Sequence, residues 1–187
     1  MLSRIMKNAA LCSLILTILF IVVYHQSQQS IWFSLSITFG TIAYHLLMRL
    51  TVGLLYNLKL NNHVDYTKPW FRQRAFEPKL YKLLHIKSWK WKVPTYDPDR
   101  FDPHQYTWDE IAQVMCQSEL VHETIAILSF LPLLASIWFD SFLVFLLTSL
   151  FSAIFDLMFV VVQRYNRPRV TRLAEKAARS RQKPVST

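Results

Sequence analysis

Four apolar stretches divide the chain and leave it little choice of fold: Ala9 to Tyr24, Ile31 to Tyr56, Ile125 to Phe139, and Phe142 to Val162. Most are near the length that crosses the hydrocarbon core of a bilayer as a helix. Backbone in lipid must satisfy its own hydrogen bonds, which helices do. The expected fold class is therefore an all-α integral membrane protein with about four transmembrane helices, forming a single membrane domain over residues 1–187. Its spans fall near 9–24, 31–56, 121–138 and 142–162. Arg4 and Lys7 ahead of a short apolar core also resemble a secretory signal. However, HQSQQS leads straight into the second run with no small-x-small cleavage site, so the first run reads as an uncleaved span.

Charge gives the orientation. Only 18% of residues are charged, yet the formal net charge is +9. The basic residues gather in the N-terminus, the 58–120 segment and the 163–187 tail, and the turns His25–Ser30 and Phe139–Ser141 have no Lys or Arg. By the positive-inside bias both termini and the 58–120 segment are cytoplasmic, in a multi-pass protein of the cell membrane. With two glycines in the chain, a phosphate-cradling glycine loop is excluded. Cys12 and Cys116 stand far apart outside any Cys/His cluster, so no metal site is expected.

Segment 58–120 mixes lysines with aromatic residues, among them Trp70, Phe76, Tyr81, Trp89 and Trp91. In a soluble chain that texture suits single-stranded nucleic acid. Beside membrane spans it reads as an aromatic and basic interfacial bed on anionic lipid, with no nucleic-acid partner. Pro78 is placed to open a short helix with Leu80, Leu83 and Leu84 on its apolar side. The proline-paced stretch Pro94–Pro103 is an irregular connection. Thr107 and Glu110 form a capping box, so a helix starts near Trp108 and runs on toward the third span, where Pro132 is placed to kink it.

Polar residues at membrane depth are the functional candidates. Glu119, His122 and Glu123 form one helical stripe where the third span begins. VVVQRYNRPRVT, from Val160 to Thr171, closes the fourth span with Gln163, Arg164, Tyr165, Asn166, Arg167 and Arg169, and Pro168 is expected to stop the helix there. A plain positive membrane stop needs only charge. Three arginines this close also suit paired-donor grip on phosphate or carboxylate. His45 and Arg49 share a face of the second span, and Asp156 is the lone acid of the fourth. Arg49 has the choice of snorkelling or turning inward. Asp156 has the choice of pairing with Arg49 or His45, or of meeting substrate.

Both the acidic stripe and the arginine cluster fall at the cytoplasmic face, which suits group transfer onto a lipid-borne hydroxyl. His122 is the candidate general base, with Glu119 or Glu123 orienting its ring. Arg164, Arg167 and Arg169 are candidates to hold a phosphorylated donor and offset oxyanion charge. No Ser or Cys stands out as a nucleophile, which favours direct transfer. His104 and Asp109 have the His-x4-Asp spacing of glycerolipid acyltransferases but lack the neighbouring blocks, and Asp109 already suits a first helical turn.

Three blocks together resemble the glycosyl-4,4'-diaponeurosporenoate acyltransferase family, small bacterial membrane proteins of staphyloxanthin-type carotenoid biosynthesis. Phe76-Glu77 through Leu80-Tyr81 to Ile86–Pro94 is similar to its W-K-x-K-[LV]-P region; Glu119-Leu120-Val121-His122 is similar to its E-L-x-H; Gln163–Arg169 is similar to its Q-R-Y-N-R-P-R. The resemblance implies transfer of a fatty acyl group onto a sugar hydroxyl of a glycosylated carotenoid. It supports Glu119 and His122 as catalytic and Arg164, Asn166 and Arg167 as site residues.

The expected function is thus a membrane acyltransferase acting on a glycosylated lipid acceptor. Acyl coenzyme A or acyl carrier protein is the donor, and no cofactor is held permanently. The binding set is Gln163, Arg164, Tyr165, Asn166, Arg167, Arg169, Asp156, Trp89, Lys90, Arg49 and His45. The competing readings are another lipid-modifying transferase, such as a methyltransferase, and a non-enzymatic scaffold on anionic lipid.

Overall fold

The computed structural model describes residues 2–95 and 97–182, with helices and turns only among them. Tyr96, inside the predicted Pro94–Pro103 connection, and 183–187, the end of the predicted basic tail, lie outside the described residues. The long helices are α1 (Leu2–Ser27), α2 (Ser30–Leu60), α5 (Trp108–Leu128) and α7 (Phe142–Gln182). Shorter ones are α3 (Glu77–Leu83), α4 (Ile86–Trp89) and α6 (Pro132–Phe139). Among the described residues four stretches, with α5 and α6 counted as one, are long and apolar enough to cross a membrane. The protein is an all-α, multi-pass membrane protein.

Contacts divide the chain into two compact units, one of residues to Leu55 with Thr124–Asp156, the other of Tyr56–Glu123 with the chain from Leu157 onward. In the first unit, α1 turns into α2 at Gln28, whose φ of 55° is left-handed. Aromatic rings pack around that turn: Phe20 lies 5.8 Å from Trp32 and 5.4 Å from Phe39, and Tyr24 lies 5.1 Å from Phe33. α5 does not run through to the end of the third span. It stops at Leu128 and α6 begins at Pro132, so the expected kink is a break. Pro132 has no N–H for the carbonyl of Leu128, four residues back. The Leu131 N–H, at 3.1 Å, and the Tyr44 hydroxyl, at 2.8 Å, donate to that carbonyl instead.

In the second unit the capping box is present. Thr107 N–H and hydroxyl both donate to Glu110 Oε2 at 2.8 Å, and Glu110 N–H donates back to Thr107 Oγ1. Pro78 sits in the first turn of α3, where its missing donor costs nothing. His85, at φ 50°, turns the chain between α3 and α4. Cys116 of α5 packs with Val64 and Phe71 in a small core, and Asn62 N–H donates to Gln117 Oε1, tying the start of this segment to α5.

Pro168 does not stop the last helix: α7 continues through it to Gln182. The missing N–H frees the Arg164 carbonyl. Arg164 and Arg167, one turn apart, are both anchored by side-chain ion pairs, which hold helical backbone on the N-terminal side of the proline. After it, the Thr171 hydroxyl donates back to the Arg167 carbonyl at 3.2 Å.

Candidate active site

The second unit gathers the polar residues of three distant stretches around Glu119. This carboxylate is fully buried. Its Oε1 accepts from Arg164 Nη1 at 2.7 Å and its Oε2 accepts from Arg167 Nη1. Burying a carboxylate is tolerable only with this kind of charge-assisted pairing. Arg167 is 3% exposed, donates its other terminal nitrogen to the Phe71 carbonyl at 2.5 Å, and lies over the Phe71 ring.

Arg164 is held by further acids. Its Nε and Nη2 reach Glu77 Oε1 at 3.0 and 2.8 Å, while Nη1 is 3.8 Å from Glu123 Oε1. Glu77 is itself buried, and its second oxygen accepts from the Tyr81 hydroxyl at 2.8 Å. Burial, and then the Glu77 carboxylate, push the Tyr81 phenol well above the usual tyrosine range, so it remains a neutral donor. Glu123 Oε2 accepts from Trp70 Nε1 at 3.0 Å. Arg164, Glu77, Glu123, Tyr81 and Trp70 line a cleft of about 260 Å³, completed by Arg74, Phe76, Leu80 and Val161.

Beside this network Lys90 donates to Asn166 Oδ1 at 2.8 Å and lies 4.7 Å above the Tyr165 ring, which packs edge-on against Tyr81. Burial, followed by Arg169 and Lys87, holds the Lys90 ammonium below the usual lysine range, so three cations share one neighbourhood. Trp89 donates to the Leu84 carbonyl, a local bond. His122 stacks on Phe159 with ring centres 4.4 Å apart and planes within 7°. Arg169 is exposed and Gln163 is half-buried.

The sequence reading offered Arg164 and Arg167 to a phosphorylated donor. In the structure both guanidiniums are engaged by carboxylates of this chain. His45, Arg49 and Asp156 meet in the first unit, a separate cluster. Arg49 Nη2 bonds Asp156 Oδ2 at 2.5 Å and Ser152 Oγ at 2.8 Å, and Ser152 shares a hydrogen bond with Ser129. Of the roles open to Arg49 and Asp156, inward pairing with each other is the one seen. His45 is buried beside them. His104 is exposed, and Asp109 accepts instead from Tyr66 and Gln113.

Trp70 and Tyr81, expected in the interfacial bed, and Glu77, quoted only in a resemblance block, join this network as well. An acid in a first helical turn already has a sufficient local reason, and only its place in a resemblance block marked it out.

What the fold and this network define is a helical membrane protein with a buried arginine–carboxylate centre beside an apolar cleft. The profile of the glycosyl-4,4'-diaponeurosporenoate acyltransferase family matches residues 67–176, more than half of the chain, and the protein belongs to that family. It is accordingly an enzyme of the acyltransferase type. Every residue of the Glu119 network falls inside the matched segment, and His45 and Arg49 fall outside it. No curated protein and no solved structure matches the chain.

Proposed function

We infer that the protein esterifies a sugar hydroxyl of a glycosylated membrane lipid, of the glycosyl-4,4'-diaponeurosporenoate type, with a fatty acyl group. The donor is acyl coenzyme A or acyl carrier protein, met at the cytoplasmic face. The observation that carries this reading is Arg164 on the cleft wall. Its Nη1 is hydrogen-bonded to Glu119 but stands 3.8 Å from Glu123, beyond hydrogen-bond reach. An oxyanion forming in the cleft would compete with Glu123 for that nitrogen, while Glu77 and Glu119 keep the guanidinium in place.

In the reaction the sugar oxygen attacks the thioester carbon and its proton passes to the base. The carbon–sulfur bond then breaks, and the thiolate leaves with that proton. His122 is the base in this reading. It lies on α5 between the two site carboxylates, and stacking on Phe159 fixes its ring plane. Lys90 and Arg169 offer cations for the phosphate of the donor. A second assignment makes Glu123 the base, favoured because Glu123 lines the cleft and His122 is not among its lining residues.

Mass spectrometry of lipids from cells carrying wild type, His122→Ala and Glu123→Gln separates these. We expect His122→Ala to accumulate a species lighter by one fatty acyl residue and Glu123→Gln to retain product. The reverse pattern moves the base to Glu123. Identical lipids in all three strains, and in cells lacking the protein, with every variant inserted in the membrane, would refute acyl transfer.

A further inference from the structure

We propose that the cleft beside Arg164 receives the acyl chain of the donor, and that Leu80 and Val161 set the chain length it accepts. This rests on the acyl-transfer reading above and names the part of the substrate that fills the site. On the cleft wall Arg164, Glu77, Tyr81, Glu123 and Trp70 are already engaged with one another, while Arg74 is exposed. Glu77 accepts from both Arg164 and Tyr81, and Glu123 accepts from Trp70. A sugar ring entering there would give up its bonds to water and meet few unengaged acceptors, an unfavourable exchange. An alkyl chain gives up no hydrogen bonds and gains burial with each methylene.

The register of the two helices points the same way. Leu80 follows Glu77 by three residues on α3, and Val161 precedes Arg164 by three on α7, so each lies one turn from the charged pair. Both face the cleft. A thioester carbonyl at Arg164 therefore has an apolar wall from each helix one turn away, where the first part of its chain would lie. At about 260 Å³ the cleft has room for one part of a substrate and not for a whole glycosylated lipid.

The test reads the acyl composition of the product in cells carrying Leu80→Phe, Val161→Phe or Leu80→Ala. Filling the cleft should move the product toward shorter chains, and Leu80→Ala should move it toward longer ones. Product with an unchanged chain distribution in all three variants, whatever its yield, overturns the proposal. Failure of the underlying reading looks different: wild type itself would then make no acylated product. If the variants yield no product, the wild-type protein is labelled with a diazirine-bearing fatty acyl coenzyme A. Label on residues 76–84 or 157–164 supports the proposal, and label confined to other segments overturns it.

Discussion

Glu119 is the residue on which both guanidiniums converge, and its replacement separates charge from shape. In Glu119→Gln the amide keeps the volume but leaves Arg164 and Arg167 facing each other without the central anion. Breaking a buried ion pair from one side costs about 3–5 kcal/mol. Unfolding in detergent micelles, followed by circular dichroism, should show a loss of that order, and wild-type stability would mean that the pair does not hold the unit together. Arg167→Lys is the gentler change. A single ammonium cannot reach both Glu119 and the Phe71 carbonyl as the planar fork does, so protein levels should persist while acyl product falls. The arginines and Glu119 were legible in the sequence because polar residues at membrane depth are conspicuous. Their partner Glu77 was not, since Arg164 meets it across 87 residues of chain and no local pattern reports such a contact.

The elements show two prolines with opposite outcomes. Pro132 falls where the Leu128 carbonyl is taken by the Leu131 N–H of a tight turn and by the Tyr44 hydroxyl, and the helix breaks. Pro168 falls where Arg164 and Arg167 are pinned by ion pairs, and the helix continues. The residue type was visible in the sequence in both cases, but the tertiary contacts that decide between break and continuation were not. The capping box of α5 and the opening of α3 near Pro78 were legible, because their hydrogen-bond partners lie within four residues. Replacing Pro168 by Ala returns an N–H to the Arg164 carbonyl and removes a ring from the helix interior. A proline there costs up to about 3 kcal/mol relative to Ala. Pro168→Ala should therefore raise the melting temperature in detergent. An unchanged or lower value would show that the proline is fully accommodated where it stands.

For the whole molecule, the spans could be read from length and hydropathy alone, since lipid enforces helical backbone whatever the side chains do. The sidedness of those spans rests on charge, and it has a functional consequence. A soluble acyl thioester is available in the cytoplasm, so the segment carrying Glu77, Lys90 and Glu119 has to face that side for the proposed reaction to run. The positive-inside bias predicts that side for it and the opposite side for the two short turns. Single cysteines at Gln29, Asp140 and Lys92, introduced with Cys12 and Cys116 replaced by Ser, give the answer. In intact cells a membrane-impermeant maleimide should label Gln29→Cys and Asp140→Cys and should reach Lys92→Cys only after lysis. The opposite pattern would turn the arginine–carboxylate centre outward and exclude a cytoplasmic thioester, and the acyl group would then have to come from a donor already in the membrane or on its outer face.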